Sequence, residues 1–232
     1  QQRVDYGKEV EGYTEYALAV TAAQTSQPAE TVALVDMLLA QNPKSKYVDL
    51  CAGSYLAALG KTGGSAKQLE GMTKVAAGRP DNEVALGALA EGYASKSPDR
   101  ALSYANRLVN AMKTKAKPEG VSDAEWERSK NAGLATGYYI AGMIHGSKQS
   151  WVECDRDLRA ALPLISGDKA RLGGAYFYLG LSNYQYGKLI RDRNRMQQGL
   201  KYSQESAALP GPMQQSAYRN VNAIQAELSG RR

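Results

Sequence analysis

Apolar side chains recur at three- and four-residue spacing along most of the chain, in short amphipathic stripes separated by turn residues. In 82–111, Leu86, Leu89, Ala90 and Tyr93 fall on one stripe, and Ala101, Ala105 and Leu108 fall on the next. Earlier, Tyr13, Tyr16 and Val20 precede Val32, Val35, Leu38 and Leu39, and Asn42-Pro43 stops the second stripe. Between Tyr47 and Pro80, Gly53, Leu56, Leu59 and Gly60 mark one helix, and Leu69, Met72 and Val75 mark its partner. No stretch alternates apolar with polar residues long enough to build a sheet, so the pattern predicts an all-α protein of paired helices.

Two later stretches share one grammar. Tyr138, Ala141, Gly142 and His145 are followed by Trp151, Cys154, Leu158 and Ala161, and Tyr176, Leu179, Gly180, Asn183 and Gly187 recur at matching offsets. Small residues suit places where two helix backbones cross closely, and the bulky ones fill the space around them. This resembles the tetratricopeptide repeat, with its bulky-x2-Leu-Gly-x2-Tyr and Ala-x3-aromatic pattern and a period of about 34 residues. Taking Gly53, Ala90, Gly142 and Gly180 as reference positions, the intervals are 37, 52 and 38. The long interval holds a basic, Pro-interrupted linker, Lys113 to Glu119, then Ser122 and Glu125 as a capping box.

What the resemblance implies is a single domain, 1–232: a right-handed α-α superhelix of about five antiparallel hairpins closed by a capping helix near Gln214 to Leu228. It also implies a scaffold without enzymatic activity, whose groove binds a peptide or partner helix. In that family the first helix of each hairpin faces the groove, which here nominates Tyr139 and Met143 in one unit and Phe177, Leu181, Tyr184 and Gln185 in the next. Glu91 and Gln185 would supply polar register.

Composition bears on the same surface. Fifteen tyrosines stand beside one phenylalanine. Either they fill the core and coat half-wet helix faces, or a subset lines a recognition groove. A glycan or small-ligand receptor using the same rings as stacking platforms is the alternative. The net charge of +6 is uneven, because residues 1–60 carry four cations against seven carboxylates. Lys188, Arg191, Arg193 and Arg195 form one local cluster, read either as a solvated turn or as the dock of an anionic partner. Nucleic acid is not expected, since no nucleic-acid module is recognisable.

Catalytic and cofactor signals are weak. The single histidine, His145, takes the place of an interhelical tyrosine in the repeat register, and neither cysteine has a neighbour at metal-ligand spacing. Gly60-Lys61-Thr62 imitates the end of a phosphate-binding loop, but Tyr55 occupies its first glycine position, so Gly60, Gly63 and Gly64 read as a turn between helices. Catalytic residues, metals and cofactors are therefore not assigned. Cys51 and Cys154 lie about three hairpins apart in the expected stack and read as buried small hydrophobes. No apolar run approaches the ~18 residues of a membrane span. The start at Gln1-Gln2, without an initiator Met, is read as export with signal-peptide removal, to the periplasm or medium, with a cytoplasmic location as the alternative.

Overall fold

Local signals set most helix boundaries in the computed structural model, which describes residues 2–118 and 120–230, with side chains from residue 9 onward. The helices are α1 (Gln2–Gln24), α2 (Pro28–Gln41), α3 (Val48–Gly78), α4 (Glu83–Tyr93), α5 (Pro98–Thr114), α6 (Asp123–Ser147), α7 (Trp151–Ala161), α8 (Lys169–Leu189), α9 (Arg193–Ala208) and α10 (Gln214–Leu228). No strand occurs among the described residues. Pro28 and Pro98 open their helices, where a missing amide proton costs nothing. The side chains of Asn82, Asp168 and Asp192 accept from amides of the first turns of α4, α8 and α9. Ser122 and Glu125 form the expected capping box on α6.

The chain divides into two compact units, Gln1–Lys96 and Ser97–Arg232. The boundary falls between α4 and α5, the two helices that the sequence pairs as one hairpin. α4 packs on α3, and α5 packs on α6.

In the first unit, α3 is two limbs. Gly64 sits at φ 68°, and the limb after it folds back, so that Gln68 Nε2 donates to the Leu56 carbonyl at 3.0 Å and Gly71 lies against Leu59 and Tyr55. The glycine-rich stretch is thus the reversal the sequence predicts. Val35, Leu38, Cys51, Tyr55, Met72, Leu86 and Leu89 fill the core. Asp49 accepts from Arg79 Nη2 at 2.7 Å and Asn82 Nδ2 at 2.7 Å, tying the start of α3 to the turn before α4. Two expectations fail here. α1 buries Ala19 and Ala22, while Tyr13 is 72% exposed, because the small side chains let α1 approach its neighbours. Gly53 is exposed and a Cβ there would meet nothing within 4 Å, so it is no helix-crossing point.

In the second unit, α6 touches α5, α7 and α8, and α8 touches α6, α7, α9 and α10. Cys154, Leu158, Ala161, Ala175 and Leu179 form its largest described core, with Tyr138 and Tyr176 packed against them. Gly142 and Gly180 are close-contact positions. A Cβ at Gly142 would lie 2.5 Å from Leu158 Cγ, and one at Gly180 would lie 2.9 Å from the Ser203 amide nitrogen. The last helix, Gln214–Leu228, lies on α8 and α9.

The α6–α7 and α8–α9 turns are built alike. In one, Ser150 N–H donates to the His145 carbonyl (2.9 Å) and Gln149 N–H to that of Gly146 (3.1 Å). In the other, Asp192 donates to Gly187 (2.8 Å) and Arg191 to Lys188 (3.2 Å). Gln149 and Arg191 take the left-handed conformation, at φ 61° and 58°. Both turns are Schellman closures with a side chain where glycine is usual. They correspond at an offset of 42 residues, one helical turn beyond the 38 that separates Gly142 from Gly180.

Candidate functional site

The residues nominated for a groove divide three ways. Tyr139 and Met143, one turn apart on α6, face α8: a Cβ on Gly174 would lie 2.8 Å from the Tyr139 hydroxyl and 3.3 Å from Met143 Cε. Together with Gly174, Leu209, Pro212 and Met213 they line a mostly apolar cleft of about 70 Å³, walled on one side by the segment that connects α9 to α10. The Arg171 guanidinium lies over the Tyr139 ring at 5.7 Å, and burial raises the phenol's pKa. Phe177, Leu181 and Gln185, at four-residue spacing on α8, make one half-buried row. Phe177 meets the Tyr178 ring edge-on at 5.1 Å.

Tyr184 is placed differently. It is only 9% exposed, clustered with Met196 and Ile224, and its hydroxyl donates to Glu227 Oε2 at 2.7 Å. The capping helix covers it, so Tyr184 fastens α10 to α8 and is not open groove surface. Burial, then the bond to Glu227, raises its pKa. Glu91 is exposed on α4, in the first unit, whereas the other nominated residues belong to the second.

The basic cluster is largely paired within the fold. Lys188 Nζ lies 2.9 Å from Glu227 Oε2, Arg193 Nη2 donates to the Leu228 carbonyl at 2.6 Å, and Arg195 covers the Tyr186 ring at 4.8 Å. A cation at that carbonyl also complements the negative end of α10. Arg191 is exposed. Lys188, Arg191 and Arg193 share an open depression of about 310 Å³ with Met196, Glu227 and Leu228, and Arg195 is not among its lining residues.

No protein-family model, characterised protein or solved structure matches this chain. Its site therefore has to be read from its own geometry.

That geometry includes a polar network that the sequence pattern does not signal. Arg159 donates through Nε to both oxygens of Asp155 (2.9 Å each) and through Nη1 to the Tyr202 hydroxyl (2.9 Å). Asn183 Nδ2 donates to Asp155 Oδ1 and to the Leu179 carbonyl. Tyr202 in turn stacks on Tyr176 at 6.0 Å. Asp155 and its partner Arg159 thus link α7 to α8 and α9. The only cue in the chain is the four-residue step from Asp155 to Arg159; the partners on α8 and α9 are set by packing.

His145 Nε2 lies 3.6 Å from Asp157 Oδ2, joining α6 to α7, while Arg156 forks onto the same buried carboxylate at 2.7 and 3.1 Å. This contact joins two helices. Among the described residues, no group of three or more His, Cys, Asp or Glu side chains could hold a metal ion. Both cysteines are free and buried. Burial pushes the Cys51 thiol up to about 11 and the Cys154 thiol up to about 12, so neither is ionised at neutral pH.

Proposed function

We propose that the chain is a non-catalytic binding scaffold, a tetratricopeptide-like stack with the sense of a right-handed superhelix, that holds an extended peptide or partner helix against the α6–α8 face. The observations that carry this reading are the half-buried row Phe177, Leu181 and Gln185 on α8 and the apolar cleft between α6 and α8 that Tyr139, Met143 and Gly174 line. Aromatic and aliphatic anchors next to a few polar groups are the makeup of a recognition hot spot. Helices held by cores and caps lose little conformational entropy when a partner docks. Cleft size separates the peptide reading from a small-ligand one. Ligand pockets are usually about 300–1,000 Å³, whereas this cleft, at about 70 Å³, accommodates a single partner side chain.

The test is to pan a random peptide library on the immobilised protein and to measure the enriched peptides against Phe177→Ala and Leu181→Glu variants. Peptides should emerge that bind wild type and lose at least about tenfold in affinity with either variant, a change of roughly 1.4 kcal/mol. Thermal midpoints should stay close to wild type, because neither side chain is fully buried. A library that yields no binder, or binders indifferent to both substitutions, rejects the scaffold reading of this face.

A further inference from the structure

We propose that the α8–α9 turn is a docking tip for a membrane surface rich in anionic phospholipid. Leu189 and Ile190 stand at this turn 75% and 48% exposed, adjacent in sequence. Turn geometry does not require them. The α6–α7 turn closes with the same two hydrogen bonds and the same left-handed residue, yet it carries Ser147 and Lys148 at the equivalent places. A polar pair satisfies that backbone, so the aliphatic pair reflects some other requirement.

Arg191 makes a second, independent observation. It occupies φ 58°, a conformation that glycine or asparagine adopts more readily, and its side chain is exposed. No hydrogen bond or ion pair engages its guanidinium among the described residues. Arg191, Lys188 and Arg193 rim the depression of about 310 Å³ beside the tip. The nearby acids leave this rim cationic. Glu227 is shared between Lys188 and Tyr184, and the Asp192 side chain accepts from the Arg195 amide as the cap of α9.

A protruding aliphatic pair beside a cationic depression matches the two layers of a lipid surface. The acyl boundary receives Leu189 and Ile190, and headgroup phosphates meet Arg191 and its neighbours. A protein partner is less well served, because the turn itself, 187–193, carries no Trp, Tyr or Met, and its exposed apolar side chains are two aliphatics. Two aliphatic side chains and a few cations make a reversible anchor that weakens with salt.

Flotation of the full chain with vesicles tests this without any partner, and so independently of the peptide-binding face. The vesicles are phosphatidylcholine alone, or phosphatidylcholine with about one lipid in three replaced by phosphatidylglycerol. The protein should float only with the anionic vesicles and be released as salt is raised. Leu189→Ser with Ile190→Ser should lower the bound fraction roughly tenfold. Arg191→Gln, which installs the residue that already holds φ 61° at position 149, should lower it several-fold. Both variants should keep the helical circular dichroism and thermal midpoint of wild type, since the altered side chains are exposed. Wild type left in the soluble fraction with both vesicle types, equal flotation with neutral and anionic vesicles, or a serine variant that floats like wild type would each overturn the proposal. Retention on immobilised poly-glutamate without flotation would also overturn it, and would assign the tip to an acidic protein.

Discussion

Glycine has opposite meanings at two positions of the same nominal pattern. Gly180 and Gly199 cross so closely that a Cβ on either would meet the other's carbonyl oxygen, at 3.1 and 2.8 Å. Gly53 lies inside α3 with open space around it. Gly180→Ala should therefore destabilise the chain by on the order of 1–3 kcal/mol through forced separation of α8 from α9. Gly53→Ala should stabilise it by roughly 0.5–1 kcal/mol, because alanine loses less backbone freedom in a helix. Urea unfolding midpoints should move in opposite directions, and a shared direction would refute the assignment of the crossing. A sequence shows where a side chain is missing, but whether another backbone fills the vacated space depends on tertiary structure. Gly142 and Gly180 were legible because bulky residues flank them at helical spacing, whereas Gly53 has similar flanks and no crossing partner.

Helices were legible where local chemistry ends them. Ser122 with Glu125, Asn42-Pro43, Pro80 and the 60–64 glycines each act within a few residues of where they stand, and the structure places a cap, a stop or a reversal at every one. Which face of a helix stays open is decided by what comes to lie on it, and Tyr184 shows the difference. Its position on α8 suits a groove, but α10, beginning thirty residues later, covers it. Tyr184→Phe should remove the bond to Glu227, cost about 1 kcal/mol and speed amide exchange in 221–228, with α6 and α7 unaffected. Exchange rates in α10 identical to wild type would mean that apolar burial alone fastens it. The network around Asp155 is illegible in the sequence for the same reason, since its members come from three helices and one of them, Tyr202, lies 43 residues from Arg159.

At the scale of the whole chain, all-helical architecture and sequence-order packing were readable from periodicity, but the division at Lys96 and Ser97 was not. No Gly- or Pro-rich linker marks it, and amphipathic helices continue on both sides. Each unit encloses one free thiol, Cys51 in the first and Cys154 in the second. Burial raises both above the 9.0 of an exposed thiol, to about 11 and about 12. Above pH ~9 the unfolded chain releases these protons while the folded chain retains them, so stability that is fully present below that pH falls as pH rises through the folded values. Urea midpoints between about pH 8 and 9.3, below the phenol midpoint of about 10, should decline for wild type and decline less for Cys154→Ala. Parallel slopes would show that this thiol contributes nothing to the alkaline loss.

Two sealed thiols, one on each side of the division, also amount to a pair of built-in clocks. A thiol reagent reaches each only when its own surroundings open, and mass spectrometry of the two cysteine peptides reads both from one sample. Matching labelling rates across a denaturant series would mean that the halves open as one cooperative body, and diverging rates would rank them by stability, with no mutation introduced.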